Sequence, residues 1–170
     1  MKDDDTMLDA LELLMDQHEE VEGLIERVED ADDSGTKAEL FRELADKLAA
    51  HSTIEEKIFY PAMMADKTRE LLVESTEEHL SIKRLLADMM TLDVADEHFD
   101  AKLSVLKKQI RHHAHDEEEG HLFPIVRKLC SRDELAAIGN ELLALFEKLI
   151  TREPRRNVPS ETSHAAPLPA

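Results

Sequence analysis

Hydrophobic residues recur at steps of three and four along most of the chain, which is the spacing of amphipathic α-helices. The five predicted helices cover about residues 6–30, 36–61, 66–90, 96–123 and 131–152. Pro61 and Pro124 are expected to kink or end the second and fourth of these helices. Residues 153–170 lack the periodicity and are predicted to form a disordered tail.

Composition favours the same fold class. The chain of 170 residues has only four glycines, no tryptophan and 4% aromatic residues, while the strong helix formers are frequent. A sheet protein would contain more β-branched and aromatic residues, so the predicted class is all-α. Long helices with short connections pack best as an antiparallel up-down four-helix bundle. We assign this bundle to residues 7–130 and expect an additional C-terminal helix, residues 131–152, to pack on it.

The net charge of −18 argues against nucleic acid and against an anionic membrane surface as partners, because both attract Lys/Arg-rich faces. No apolar run approaches the length of a membrane span, and the first residues have no apolar signal region. The single cysteine, Cys130, excludes an internal disulfide framework and fits a reducing compartment. A cytoplasmic location is therefore expected.

Candidate chemistry lies within the hydrophobic stripes of the four long helices. Each stripe contains one histidine, and two of these histidines are followed four residues later by a glutamate. The six candidate metal ligands are His18, His51, Glu55, His79, His113 and Glu117. A single His-x-x-x-Glu pair is usually a solvated surface pair in a chain this rich in charge. Imidazoles and carboxylates at core positions need a partner, however, and a metal ion would satisfy all six.

Helical periodicity separates these candidates from other histidines nearby. His115 and Glu119 have the same spacing as His113 and Glu117, but their positions point away from the apolar stripe toward solvent. His112 is expected at the surface for the same reason. A helical count also turns Tyr60, the only tyrosine, away from Glu55, so that inward ligation by Tyr60 is the weaker of two alternatives.

Four imidazoles with two carboxylates form a nitrogen and oxygen donor set without thiolate. A structural zinc site usually includes cysteine and closes at four ligands, so this set disfavours it. Two glutamates from related helices can each bridge two metal ions, as in the di-iron proteins built on helical bundles. We therefore expect two iron ions, with manganese or a mixed pair as the weaker alternative.

An internal repeat supports the pairing of the two glutamate-bearing helices. Segment 51–61 places a histidine, then a glutamate four residues later, then an aromatic residue and a proline. Segment 113–124 has the same order of residue types. The repeat predicts two halves of the bundle, each a helix pair, related by a pseudo-twofold axis.

These motifs resemble the hemerythrin-like family, the HHE cation-binding domains, over about residues 7–130. The family pattern H…HxxxE…H…HxxxE is met by the six candidate ligands, and the segments that end in Pro61 and Pro124 are also similar. The resemblance implies a four-helix bundle with an oxo- or hydroxo-bridged di-iron centre that binds O2 or a related small molecule. Oxygen-carrying members have a further histidine where this chain has Ser75, and a differently spaced aspartate where it has Glu117.

Because Ser75 replaces that histidine, one iron would have one ligand fewer than in the oxygen carriers. Reversible O2 carriage is therefore not the expected function. The leading interpretation is a di-iron protein that binds O2, NO or peroxide for sensing, storage or scavenging. A catalase- or peroxidase-type enzyme at the same centre is the first alternative. An iron-responsive or structural metal-binding protein without redox turnover is the second.

Overall fold

Helices make up the fold in the computed structural model, which describes residues 8–170. The elements are α1 (Ala10–Asp30), α2 (Ser34–Ile54), a first π-helical segment π1 (Glu55–Phe59), α3 (Tyr60–Ala62), α4 (Arg69–Met90), α5 (Glu97–Arg111), a second π-helical segment π2 (His112–Leu122), α6 (Phe123–Leu129), α7 (Arg132–Ile150) and a 3-10 helix (Pro154–Glu161). The all-α prediction is confirmed, since residues 8–170 contain no strand. None of the helices in this range is long and apolar enough to cross a membrane.

Side-chain caps fix where several helices begin. Asp9 and Glu12 form a reciprocal capping box at the start of α1, and Ser131 and Glu134 form the same box at the start of α7. The predicted start of the first helix near residue 6, and of the bundle at residue 7, lies outside the described residues. The second helix begins two residues earlier than predicted because Asp33 accepts a hydrogen bond from the amide of Thr36.

The hydrophobic core has two parts, with a polar layer between them along the bundle axis. One cluster is built from the second half of α1 and the middle of α2, packed on the end of α4 and on α5. The other cluster joins the start of α1, the segment from Ile54 to Met63, the end of the π2 region and α7. The four inward histidines occupy the layer between these clusters, so the bundle holds polar groups where water has no access.

Both glutamate-bearing helices change from α to π geometry at their motif. The chain runs without a break from α2 through π1 into α3, and from α5 through π2 into α6. Pro124 was expected to interrupt the fourth helix, but that helix continues to Leu129. The wider π turn, in which the amide of Phe123 bonds the carbonyl of Glu118, leaves room for the proline ring that a regular α-turn would exclude.

The C-terminal residues are ordered, which differs from the predicted disordered tail. After α7 the chain reverses at Glu153, whose φ of 51° lies in the left-handed region, and enters the 3-10 helix. Val158 is buried in the first hydrophobic cluster. Arg155 donates to Asp46 through its backbone amide at 3.0 Å and its guanidinium at 2.7 Å. A few contacts with distant residues, such as those of Val158 and Arg155, order this segment although its sequence has no helical period.

Candidate metal centre

Four histidines and two glutamates meet in the polar layer of the bundle. His18 comes from α1, His51 from the last turn of α2, His79 from α4 and His113 from π2. All four side chains are buried, with at most 5% of the residue exposed. The structure thus brings together the four histidines that the sequence pattern selected, one inward residue from each long helix.

The donor atoms form two groups that share both carboxylates. One group contains His18, His51, Glu55 and Glu118, and the other contains Glu55, His79, His113 and Glu118. Within each group the donor atoms lie within 4.8 Å of one another. Five of the six predicted ligand residues are therefore brought together, and the sixth place belongs to a neighbouring residue.

Glu118, not Glu117, occupies that sixth place. Glu118 is fully buried and its Oε1 lies 2.6 Å from Nε2 of His113. Glu117 points outward, 3.7 Å from His112 and 3.8 Å from His121. The reason is π2: a π-helix closes its turn between residues i and i+5, so the residue five positions after His113 lies beneath it. The prediction of Glu117 assumed the α-helical spacing of four.

The sequence contained a signal for this offset. In the first half Glu55 precedes Pro61 by six residues, and in the second half Glu118 precedes Pro124 by six. Alignment of the two halves on their prolines, rather than on their histidines, pairs Glu55 with Glu118. The extra residue between His113 and the proline is the residue that the π turn accommodates.

Tyr60 also turns inward, against the expectation from a straight α-helix. It follows Glu55 by five residues, and its amide bonds the carbonyl of Glu55 at the end of π1. The fully buried hydroxyl lies 3.2 Å from Nε2 of His79 and 3.4 Å from Nε2 of His113. In the other half the residue five after Glu118 is Phe123, which has no polar atom on its ring.

The unsatisfied atoms at the centre show that the residues fit metal ions. Among residues 8–170, the buried side-chain atoms without a hydrogen bond are Nε2 of His18, Nε2 of His51 and all four carboxylate oxygens of Glu55 and Glu118. Close approaches between these groups, such as Nε2 of His51 to Glu55, lack hydrogen-bond geometry. Two buried carboxylates without donors are strongly unfavourable unless cations compensate them.

A second layer of oxygen acceptors surrounds the histidines. Each ring directs Nε2 to the centre and Nδ1 outward: His18 to Glu119 at 2.7 Å, His51 to Gln17 at 2.7 Å, His79 to Glu56 at 3.1 Å and His113 to Glu78 at 3.0 Å. Such outer contacts fix the tautomer and the orientation of histidine ligands. None of these four contacts was predicted from the sequence, and Glu119 was expected at the surface because the α-helical spacing of four does not hold in π2.

Without a bound cation, protonated histidines compensate the negative charges of the buried carboxylates. Burial lowers the pKa of His18, but the neighbouring carboxylates of Glu118 and Glu119 outweigh it and bring that pKa to about 9. Burial raises the pKa of Glu118, and the attraction of His113 and His18 reverses this and holds it well below its usual range. Burial, together with Glu118 and Glu55, raises the pKa of Tyr60 well above its ordinary value. A bound cation would replace these protons.

A small cavity of about 20 Å³ touches the histidines on the side of the first hydrophobic cluster. Its walls are His18, Val21, Leu48, His51, Ser52, His79, Ile82, Ile110, His113 and Ala114. Tyr60 and Phe123 lie on the opposite side, in the second cluster. The centre therefore faces a mostly apolar space large enough for about one water molecule.

Comparison with known proteins identifies the family and the fold. The hemerythrin HHE cation-binding domain matches residues 9–126. The chain belongs to the hemerythrin family. A hemerythrin-like protein of Schizosaccharomyces pombe is 24% identical over 153 residues, which cover 88% of this chain and 70% of that protein. The crystal structure of a hemerythrin HHE cation-binding domain-containing protein from Mycobacterium kansasii has a TM-score of 0.76 and 25% identity, with 86% of this chain and 90% of that chain covered.

Membership in the family indicates that the bundle core binds metal cations. Hemerythrin-type domains bind metal cations and small ligands, and this chain presents two His/Glu groups in the bundle core. The bundle prediction, the family resemblance and the general prediction of a metal-binding domain are thus confirmed. The metal ion, its ligand residues and the small molecule remain predictions.

Proposed function

We propose that the protein is a non-haem di-iron protein that binds O2, NO or peroxide in the core of the bundle. The observation that carries the proposal is the sharing of Glu55 and Glu118 by both donor groups. In this arrangement one ion would be held by His18 and His51, the other by His79 and His113, and both by the two carboxylates. Bound iron would supply reversible electron transfer and small-ligand coordination at a site closed to bulk water.

The donor chemistry supports iron over the usual structural metals. Imidazole and carboxylate donors suit iron, whereas neither group contains a thiolate of the kind that structural zinc sites prefer. Six residues arranged as two overlapping groups exceed the four ligands of a closed zinc site. Manganese accepts the same donors and remains the weaker alternative.

The cavity limits which molecules can reach the centre. A volume of about 20 Å³ accommodates a water-sized or diatomic molecule and excludes organic substrates. Half of its lining residues are aliphatic, among them Val21, Leu48 and Ile110, and the others are the four histidines and Ser52. This environment favours small, weakly polar ligands and supports sensing, storage or scavenging of O2, NO or peroxide.

A second candidate function is turnover of hydrogen peroxide, two molecules giving two of water and one of O2. Tyr60 favours it, because its hydroxyl lies beside the donor nitrogens of His79 and His113. Ser75, buried one turn before His79, has too short a side chain to replace a histidine ligand. The half of the centre that contains Tyr60 thus combines an open ligand position with a polar hydroxyl, unlike an oxygen carrier.

Metal analysis and an ultraviolet-visible spectrum of protein purified in air test the proposal. We expect about two irons per chain, oxo-to-iron charge-transfer bands, and spectral changes on addition of azide or NO. Steady-state consumption of H2O2, lost in a His113→Ala variant, would select the enzyme. One zinc per chain would contradict the proposal. Two ions whose removal lowers the melting temperature, but whose spectrum does not change with O2, azide or NO, would also contradict it and indicate a structural metal site.

A further inference from the structure

The four outer contacts of the histidines are not equivalent. His51 bonds the neutral amide of Gln17, whereas the other three rings face carboxylates. The carboxylates of Glu119 and Glu78 are 25% and 18% exposed, and each also meets a histidine at the surface of the bundle. The remaining carboxylate, Glu56, is only 8% exposed and meets a lysine.

Lys83 and Glu56 form this buried ion pair. The ammonium of Lys83, with 9% of its side chain exposed, lies 2.7 Å from Oε1 and 2.9 Å from Oε2 of Glu56. The same Oε1 accepts from Nδ1 of His79 at 3.1 Å. Lys83 stands one helical turn after His79 on α4, so both residues reach the same carboxylate from one side.

The backbone explains why Glu56 is available for this contact. Glu55 enters the donor groups as the first residue of π1, and Glu56 follows it directly and turns toward α4. On the outer side, Glu56 and Lys83 line a cavity of about 330 Å³ together with C-terminal residues from Ser160 to Pro167. Arg84 fixes that segment by donating to the carbonyl oxygens of Thr162 and Ser163.

We propose that Lys83 is a positioning residue of the metal centre: it holds Glu56 against His79 and sets the charge that reaches the ion bound by His79. This inference rests on the metal centre described above and extends it beyond the ligands. With Lys83 in place, His79 donates to a carboxylate whose charge is compensated. Without Lys83 the uncompensated carboxylate would draw the Nδ1 proton more strongly, since charges act over short distances in a buried site with little screening. His79 would then be a more electron-rich ligand.

The test uses zinc-loaded protein, because zinc is diamagnetic and the readout then does not depend on iron chemistry. The Nδ1 proton of His79 is assigned by nitrogen-15 correlation, and its proton NMR shift is compared among Lys83→Met, Glu56→Gln, the double variant and Lys83→Arg. We expect Lys83→Met to move the resonance downfield, Glu56→Gln to move it upfield, and Lys83→Arg to leave it near the wild-type position. The double variant should match Glu56→Gln alone.

The matched control is Lys107→Met, which removes a lysine paired with Glu29 at 2.9 Å on the outside of the bundle. It should leave the His79 resonance unchanged. An unchanged resonance in Lys83→Met, or an equal shift with and without Glu56, would overturn the proposal. If Lys83→Met does not fold because the buried charge of Glu56 is left without a cation, Glu56→Gln and the double variant still decide, because their resonances must coincide.

The iron-loaded protein separates this inference from the proposed function. There, Lys83→Met should shift the midpoint potential to lower values, because a more negative surrounding favours the oxidised ions. Absence of iron in the wild-type protein would count against the proposed function alone. A wild-type protein with two irons and a potential insensitive to Lys83→Met would count against the role of Lys83 alone.

Discussion

The hydroxyl of Tyr60 lies 3.2 Å from Nε2 of His79, on the side of the centre opposite the cavity. The two rings stack with centroids 5.4 Å apart. In the other half Phe123 stacks on His18 at 6.3 Å, and it offers no hydroxyl. The aromatic residue beside one donor group therefore has a hydroxyl that its counterpart beside the other lacks, and this difference makes the two donor groups chemically unequal.

A Tyr60→Phe variant tests whether that oxygen atom takes part in the centre. We expect both irons to be retained, because the histidines and glutamates are unchanged. The iron-loaded wild-type protein should show phenolate vibrations by resonance Raman spectroscopy with excitation in its visible band, and the variant should lack them. Identical spectra for the two proteins would show that Tyr60 only packs against His79.

Filling the cavity should block small ligands without removing the metal ions. Ala114 is 1% exposed and lines the cavity, so Ala114→Leu places new methyl groups where the ligand would bind. Azide titration followed by absorbance should show at least about a tenfold loss of affinity, with some loss of stability from overpacking. The matched control is Ala101→Leu at an exposed position of α5. Full azide affinity in Ala114→Leu would place the ligand site elsewhere.

The stability of the metal-free protein should fall as the pH rises from about 6.5 to 9. The pKa of His18 is about 9 in the fold and 6.5 in the unfolded reference, so its proton stabilises the fold fully below 6.5. That stabilisation is lost as the pH passes through 9. Thermal melting of chelator-treated protein across this range measures the effect. Metal-loaded protein serves as the control and should lack the trend, and a melting temperature of the metal-free form that rises with pH would contradict it.

The ordered C-terminal segment should contribute to stability. Val158 is 1% exposed within the first hydrophobic cluster, so Val158→Ala should lower the free energy of unfolding by about 2 kcal/mol. The same substitution at Val105, which is 45% exposed, is the matched control and should have little effect. Urea denaturation compares the two variants. Equal stabilities would mean that the segment does not add to the core.

Much of this fold could be predicted from the sequence because its helices are long and amphipathic. The stripe on each helix identified the buried histidine, and a buried histidine on every helix is an unusual pattern that points to a metal site. Glu55 was found as well, because it lies four residues after His51, at the end of the regular α-helix. These predictions agree with the structure because the chain keeps the α-helical period as far as each of these residues.

The errors arise where that period changes. Glu117 was predicted in place of Glu118, and Tyr60 was expected to face away from the centre, because a π turn displaces every following side chain by about one residue. Hydrophobic periodicity averages over many residues and cannot register a single added residue. The C-terminal segment was misjudged for another reason: Arg155 and Val158 order it through contacts with distant residues.

The iron content of Glu118→Gln, measured beside that of Glu117→Gln, tests most directly whether two shared carboxylates hold two ions. The two variants remove one charge from adjacent residues, of which Glu118 is fully buried at the centre while Glu117 faces outward. Elemental analysis should give about two irons per chain for the wild-type protein and for Glu117→Gln, and one or none for Glu118→Gln. Two irons in Glu118→Gln with a loss in Glu117→Gln would contradict the account.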